Sequence, residues 1–168
     1  MTPGELGVLL EYHLWANRRA LAISGRLDPG RFVGAPFPGG RPVRDLLVRL
    51  MTADALWLAR WQGRASPMPF FASAFPDTAS LGRQWQPIQD AVARFAGTVT
   101  DESAVLPLTY LTHSGTTVNQ PLWQTVVQLV DRGASERGRL LASIHALGER
   151  GHHLDLGYFL RARGAAQL

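Results

Sequence analysis

Residues 121–147, PLWQTVVQLVDRGASERGRLLASIHAL, are the stretch that decides the predicted fold. Their apolar residues recur at spacings that return to one face of an α-helix. The members of this stripe are Leu122, Val126, Leu129, Val130, Leu140 and Ile144. Gly148 follows, and a glycine just beyond the last periodic residue is typical of a helix end. The pattern predicts a long helix with one face turned toward a helical core.

Three further segments have the same helical periodicity, namely residues 2–27, 43–62 and 78–98. The first begins with a capping box, in which Thr2 serves as the N-cap and Glu5 reaches back to it.

A bundle of four long helices needs connections that return each helix to its neighbour. The segments between the helices are therefore expected to be loops.

Proline and glycine mark these connections. Pro87 interrupts the third helical segment, because an internal proline removes one backbone hydrogen bond and bends or splits the helix. Residues 28–42 and 64–77 are rich in proline and are expected to form long loops. Residues 105–111 and 116–119 flank a Ser-Gly turn and are typical of a small β-hairpin.

These elements predict one all-α domain over residues 1–168. It is an up-down four-helix bundle with long crossover loops, a small β-hairpin before the last long helix, and a short final helix over residues 155–163. Binding sites in such bundles are built from side chains that face the interior.

Composition limits the classes of function. The chain has no cysteine, which excludes disulfides, thiolate metal ligands and a cysteine nucleophile. All 17 basic residues are arginine and they are scattered among 13 acidic ones, so no nucleic-acid partner is expected.

No apolar run approaches the ~20 residues that span a bilayer, and no secretory signal is recognisable. We therefore expect a cytoplasmic protein without a membrane partner.

Several motifs, taken together in this order and spacing, carry a resemblance to a known family. They are YHLWANRR (12–19), VRDLLVRL (43–50), LWLAR (56–60), PLWQ (121–124), DRGASERG (131–138) and DLGYFL (155–160). The chain resembles the DinB/YfiT-like family of metalloenzymes along nearly its whole length. The resemblance implies a DinB-like four-helix bundle that forms a homodimer.

The resemblance also implies where a metal site would lie. Family members hold a divalent metal such as Zn or Ni with three histidines, one on the second long helix and two, four residues apart, on the fourth. At the matching positions this chain has Arg49, Arg132 and Glu136. A guanidinium group stays protonated and has no lone pair for a cation. We therefore expect the metal site to be lost and no metal cofactor to be bound.

The interpretation that we favour is an ion-pair cluster of Arg49, Arg132 and Glu136 that fills the former metal cleft, with His13 and Asn17 as its neighbours. This predicts a non-catalytic or functionally divergent DinB-like protein of unknown function. One alternative is a binder of a small anionic ligand, because two arginines facing a cavity resemble a carboxylate or phosphate site.

Catalytic alternatives stay open. One is a metal-dependent thiol S-transferase or hydrolase of the DinB/YfiT type. Another is a displaced metal site that uses the histidines of the chain, which are His13, His113, His145, His152 and His153. For each of these, a surface or capping imidazole is the favoured interpretation. For Asn17, one helical turn after His13, we expect a structural role.

Overall fold

Helices form most of the structure, which is a computed structural model describing residues 1–112, 114–150 and 153–165. They are α1 (Pro3–Ser24), α2 (Pro29–Val33), α3 (Val43–Trp61), α4 (Thr78–Ala96), α5 (Asp101–Val105), α6 (Leu122–Ala146) and α7 (Leu156–Ala165). The strands β1 (Pro107–Leu111) and β2 (Thr117–Pro121) form an antiparallel hairpin directly before α6. None of the helices in these described ranges is both long and apolar enough to cross a bilayer.

The four long helices in this part of the chain, α1, α3, α4 and α6, pack side by side. α1 contacts α4 and α6, and α3 contacts the same two helices. Every residue of the apolar stripe predicted for α6 is buried, namely Leu122, Val126, Leu129, Val130, Leu140 and Ile144. The predictions of a mostly helical chain and of the hairpin before the last long helix are confirmed.

α3 and α6 run antiparallel and together carry the candidate site. In the middle part of both helices Arg49 meets Glu136, and at the end of α3 the indole Nε1 of Trp61 donates a hydrogen bond of 2.8 Å to Oγ1 of Thr125 near the start of α6. As α3 advances along the chain, its side chains therefore meet residues of α6 that lie progressively closer to the start of that helix. The hairpin packs on α3 through β1.

Local sequence explains how two of these helices begin. The amide of Glu5 donates to Oγ1 of Thr2, and the amide of Thr2 donates to Oε2 of Glu5, which is the predicted capping box. At α4 the carboxylate of Asp77 accepts a 2.7 Å hydrogen bond from the amide of Ser80. This bond favours the charged carboxylate and lowers the pKa of Asp77.

Two expectations about local structure need correction. α4 is not split at Pro87 but runs unbroken through it. Pro87 is exposed, so the carbonyl of Arg83, which loses its hydrogen-bond donor, lies on a solvated face. Residues 28–42 are not loop throughout, because Pro29–Val33 forms α2. The carboxylate of Asp28 caps this helix by accepting from the amide of Arg31 at 2.9 Å, and proline is favoured at the first helical position.

Candidate functional site

An ion pair joins α3 to α6 at the predicted site. Nη2 of Arg49 donates a 2.7 Å hydrogen bond to Oε1 of Glu136, and Nη1 of Arg139 donates to the same oxygen at 3.2 Å. The Glu136 side chain is 6% exposed, whereas that of Arg49 is 40% exposed. The buried carboxylate is therefore held between two guanidinium groups that both reach solvent.

Arg132 does not join this cluster, which corrects the sequence-based prediction. Within the described residues it is exposed and forms no ion pair with Glu136. Side chains on a helix lean toward its N-terminus. Arg132 precedes Glu136 by one turn and leans away from it, whereas Arg139 follows and leans back over it.

Arg132 instead lines a cleft of about 640 Å³ beside the ion pair. The cleft lies between α3, α6, the hairpin and the loop before α4, and its charged lining residues are Arg49, Arg60 and Arg132. No carboxylate belongs to the lining among the described residues. The ion pair of Arg49 and Glu136 therefore lies at one end of the cleft and does not fill it, contrary to the favoured interpretation.

Arg60 lies at the opposite end of the cleft from Glu136. Its guanidinium carbon lies 4.2 Å from the ring centre of Tyr110 and 4.8 Å from that of Trp57, and its Nη2 donates at 2.8 Å to the carbonyl of Leu111. Burial lowers the pKa of Arg60, and the interaction with Tyr110 opposes that change. The group stays charged at any working pH. It ties the hairpin to α3 while adding positive charge to the cleft.

Polar atoms at the cleft and its ion pair are incompletely bonded. Nε of Arg49, Nε of Arg60 and Oε2 of Glu136 are buried without a hydrogen-bond partner among the described residues. Buried polar atoms in folded proteins nearly always have a protein, water or ligand partner. Two of these three atoms belong to arginines that line the cleft, and all three are themselves shielded from solvent.

His13 and Asn17 lie in a polar network inside the protein, not in the cleft. Nε2 of His13 is 2.7 Å from Oδ1 of Asp54, while Asn17 Nδ2 and Trp85 Nε1 donate to Oδ2 of Asp54 at 3.2 and 2.8 Å. All four side chains are fully buried. Because a carboxylate only accepts, Nε2 of His13 donates to Asp54.

Arg137 completes this network from α6. Its Nη1 donates to Oδ1 of Asn17 at 2.8 Å and lies 3.4 Å from Nδ1 of His13, and its Nη2 donates to the hydroxyl of Tyr12 at 3.3 Å. Burial lowers the pKa of Arg137, while Tyr12 and the negative charge of Asp54 oppose that change. Asp54 and Arg137 thus compensate each other through His13 and Asn17, as the structural role predicted for Asn17 requires.

Gly133 lets this network approach α6 closely. A Cβ atom at this position would lie 2.5 Å from Cε1 and 2.8 Å from Nδ1 of His13, both in a fully buried ring. Gly133 lies between Arg132, which lines the cleft, and Glu136 on the same helix. The interior network is therefore directly behind the part of α6 that forms the cleft.

The side chains of Arg49, Arg132 and Glu136, at the positions where the resemblance places metal-binding histidines, do not fit a metal ion. Two are guanidinium groups, and the single carboxylate of Glu136 is held by Arg49 and Arg139. Elsewhere in the described ranges, no three histidine or carboxylate side chains converge as a ligand set. His13 is bonded to Asp54, His145 is exposed near the end of α6, and His153 stacks on Tyr158. The predictions for His113 and His152 lie outside the described residues.

Comparison of the sequence with models of known protein families and with curated proteins found no match. The resemblance to the DinB/YfiT-like family therefore stays a prediction that depends on the motifs quoted above.

Proposed function

We propose that this protein is a DinB-like four-helix bundle that has lost the family's metal site and binds a small anionic ligand in its arginine-lined cleft. The order of the motifs supports the family, as does the meeting of Arg49 on α3 with Glu136 on α6. The observation that carries the ligand is the cleft itself, which has three guanidinium groups and no described carboxylate in its lining.

Electrostatics favour an anion over the other kinds of ligand. Arginine forms paired hydrogen bonds with carboxylates and phosphates, and each hydrogen bond to a charged group contributes about 1.5–3 kcal/mol. Arg132 is free of a carboxylate partner among the described residues and can turn toward a ligand. Thr52 and Gln128 also line the cleft and supply neutral polar groups that can orient the ligand.

Calorimetric titration with inorganic phosphate and with simple carboxylates tests this proposal. The wild type is expected to bind at least one of these anions saturably, with about tenfold weaker binding in Arg132→Gln. Arg26→Gln is the matched control, since it removes the same charge from a residue outside the cleft lining. Equal weakening in Arg132→Gln and Arg26→Gln would show that the anion responds only to net charge, and unchanged affinity in Arg132→Gln would remove Arg132 from the binding site.

The loss of the metal site has a separate test. Elemental analysis of protein purified without a histidine tag is expected to find no stoichiometric divalent metal. The triple variant Arg49→His, Arg132→His, Glu136→His is expected to gain Zn or Ni binding, because it restores one ligand on α3 and two, one turn apart, on α6. Stoichiometric Zn or Ni in the wild type would restore the metal-dependent transferase or hydrolase as the first candidate.

A further inference from the structure

We infer that the ligand of the arginine-lined cleft is amphipathic, with one anionic group joined to an apolar or aromatic body. This inference rests on the proposed function, since it concerns the same cleft. It depends on how charged and apolar side chains are distributed along the lining.

The anionic group is expected at Arg132 and Arg49. Arg132 is exposed and lies one helical turn before Glu136, and Arg49 lies across from Glu136. Arg60 lies eleven residues beyond Arg49 on α3, about 16 Å along the helix axis. Its guanidinium is already held by the carbonyl of Leu111 and by two rings. The cation that can most readily reorient toward a ligand is therefore Arg132.

Apolar side chains line the rest of the cleft. Leu56 on α3, Tyr110 on β1 and Phe70 in the loop before α4 are only partly buried, so each presents apolar surface to the cavity. Trp57, which is largely buried, also belongs to the lining. A wall that combines aromatic surface with a few charged groups is typical of sites for small organic molecules.

The size of the cavity also favours an organic body. About 640 Å³ lies within the range of sites for small molecules, and a bare phosphate or acetate ion would fill only a small part of it. The loop that contributes Phe70 also leaves Met68 and Phe71 exposed. The loop that borders the cavity therefore carries further exposed apolar surface.

A chain-length series tests the inference. Dissociation constants are measured by calorimetry for acetate, butyrate, hexanoate and phenylacetate, with hexanamide as the neutral match and hexyl phosphate as the alternative head group. Affinity is expected to rise by up to about fourfold for each added methylene that is buried. Hexanamide is expected to bind at least about tenfold more weakly than hexanoate.

Two variants distinguish binding of the ligand's anionic group from binding of its apolar part. Leu56→Gln is expected to weaken hexanoate about threefold or more relative to acetate and phosphate, and Arg132→Gln to weaken every anion. Leu160→Gln is the control, because Leu160 is exposed on α7 outside the cleft. Thermal melts of all three variants confirm that each is folded before titration.

The outcomes distinguish this inference from the proposed function. If phosphate or acetate binds but affinity does not rise with chain length, the inference is overturned and the anion site stands. If hexanoate and hexanamide bind equally, the anion site fails. If none of the compounds binds at millimolar concentration, both fail.

Discussion

Two groups of charged side chains lie on the two sides of α6 at Gly133, and they differ in how their charges are compensated. The interior network joins Asp54 and Arg137 through His13 and Asn17, and all four are at most 1% exposed. The arginine-lined cleft has three cations among the described residues, and the one carboxylate there that pairs with any of them, that of Glu136, lies outside the lining.

The difference indicates which group serves the fold and which can serve a ligand. Taking a charge out of water is costly unless a partner and hydrogen bonds compensate it, so the interior network is stable only as a complete set. Only Nε of Arg137 lacks a partner there among the described residues. In the cleft, solvent reduces that cost, and the positive charge left over can bind an anion.

The largest expected effect comes from the interior network. Asp54→Asn keeps the shape of the side chain but leaves Arg137 buried without a counter-charge. We expect the free energy of unfolding to fall by about 3–5 kcal/mol in urea denaturation. The control Asp90→Asn breaks an exposed pair with Arg18 and is expected to cost less than about 1 kcal/mol. Equal losses in the two variants would mean that the interior network has no special role.

The close approach at Gly133 is the next largest effect. Gly133→Ala would place a Cβ against the buried ring of His13, so we expect a loss of about 1–3 kcal/mol from overpacking. Gly138→Ala on the same helix is the matched control, since a Cβ there meets nothing within 4 Å and alanine favours the helix. A Gly133→Ala variant as stable as Gly138→Ala would contradict the packing described for His13.

Removing the carboxylate beside the cleft should affect stability little and binding more. Glu136→Gln leaves Arg49 and Arg139 unpaired, but both reach solvent, so we expect a loss of about 1 kcal/mol or less. Anion affinity should rise about threefold to tenfold, because a nearby negative charge is removed. Weaker anion binding in this variant would show that Glu136 positions Arg49 for the ligand and does not compete with it.

The smallest effect on stability is expected for Arg132→Gln. Arg132 is exposed, so its substitution should change the free energy of unfolding by no more than about 0.5 kcal/mol. A loss comparable to that of Asp54→Asn would show that Arg132 belongs to the structural network and is not available to a ligand.

Much of the fold could be predicted from periodicity and capping. Three features could be predicted because they depend on local residue spacing. They are the apolar stripe of α6, the capping box of Thr2 and Glu5, and the hairpin. α2 was missed, although Asp28 followed by proline is a helix-start signal. The continuity of α4 through Pro87 could not be read, since it depends on which face of the helix meets solvent.

The residues of the candidate site could be predicted from the sequence only in part. The resemblance pointed to Arg49 and Glu136, which meet, but it could not show which way Arg132 leans. Asp54 and Arg137 were missed, although a signal existed. Asp54 falls in the buried series Leu47, Leu50, Met51, Asp54 and Leu58 on α3. Arg137 falls between Gly133 and Leu140 in the buried series of α6. A charged residue at a stripe position indicates a buried partner elsewhere.

The most direct test compares the two regions in one spectrum. NMR signals of the arginine Nε–H groups, assigned by single substitutions, are recorded while hexanoate is added. We expect saturable shifts for Arg49 and Arg132, because both line the cleft, with the signal of Arg137 unchanged, because it is buried in the interior network. Shifts spread evenly over surface arginines, or a titrating Arg137 with Arg49 and Arg132 unmoved, would contradict the assignment of the cleft as the binding site.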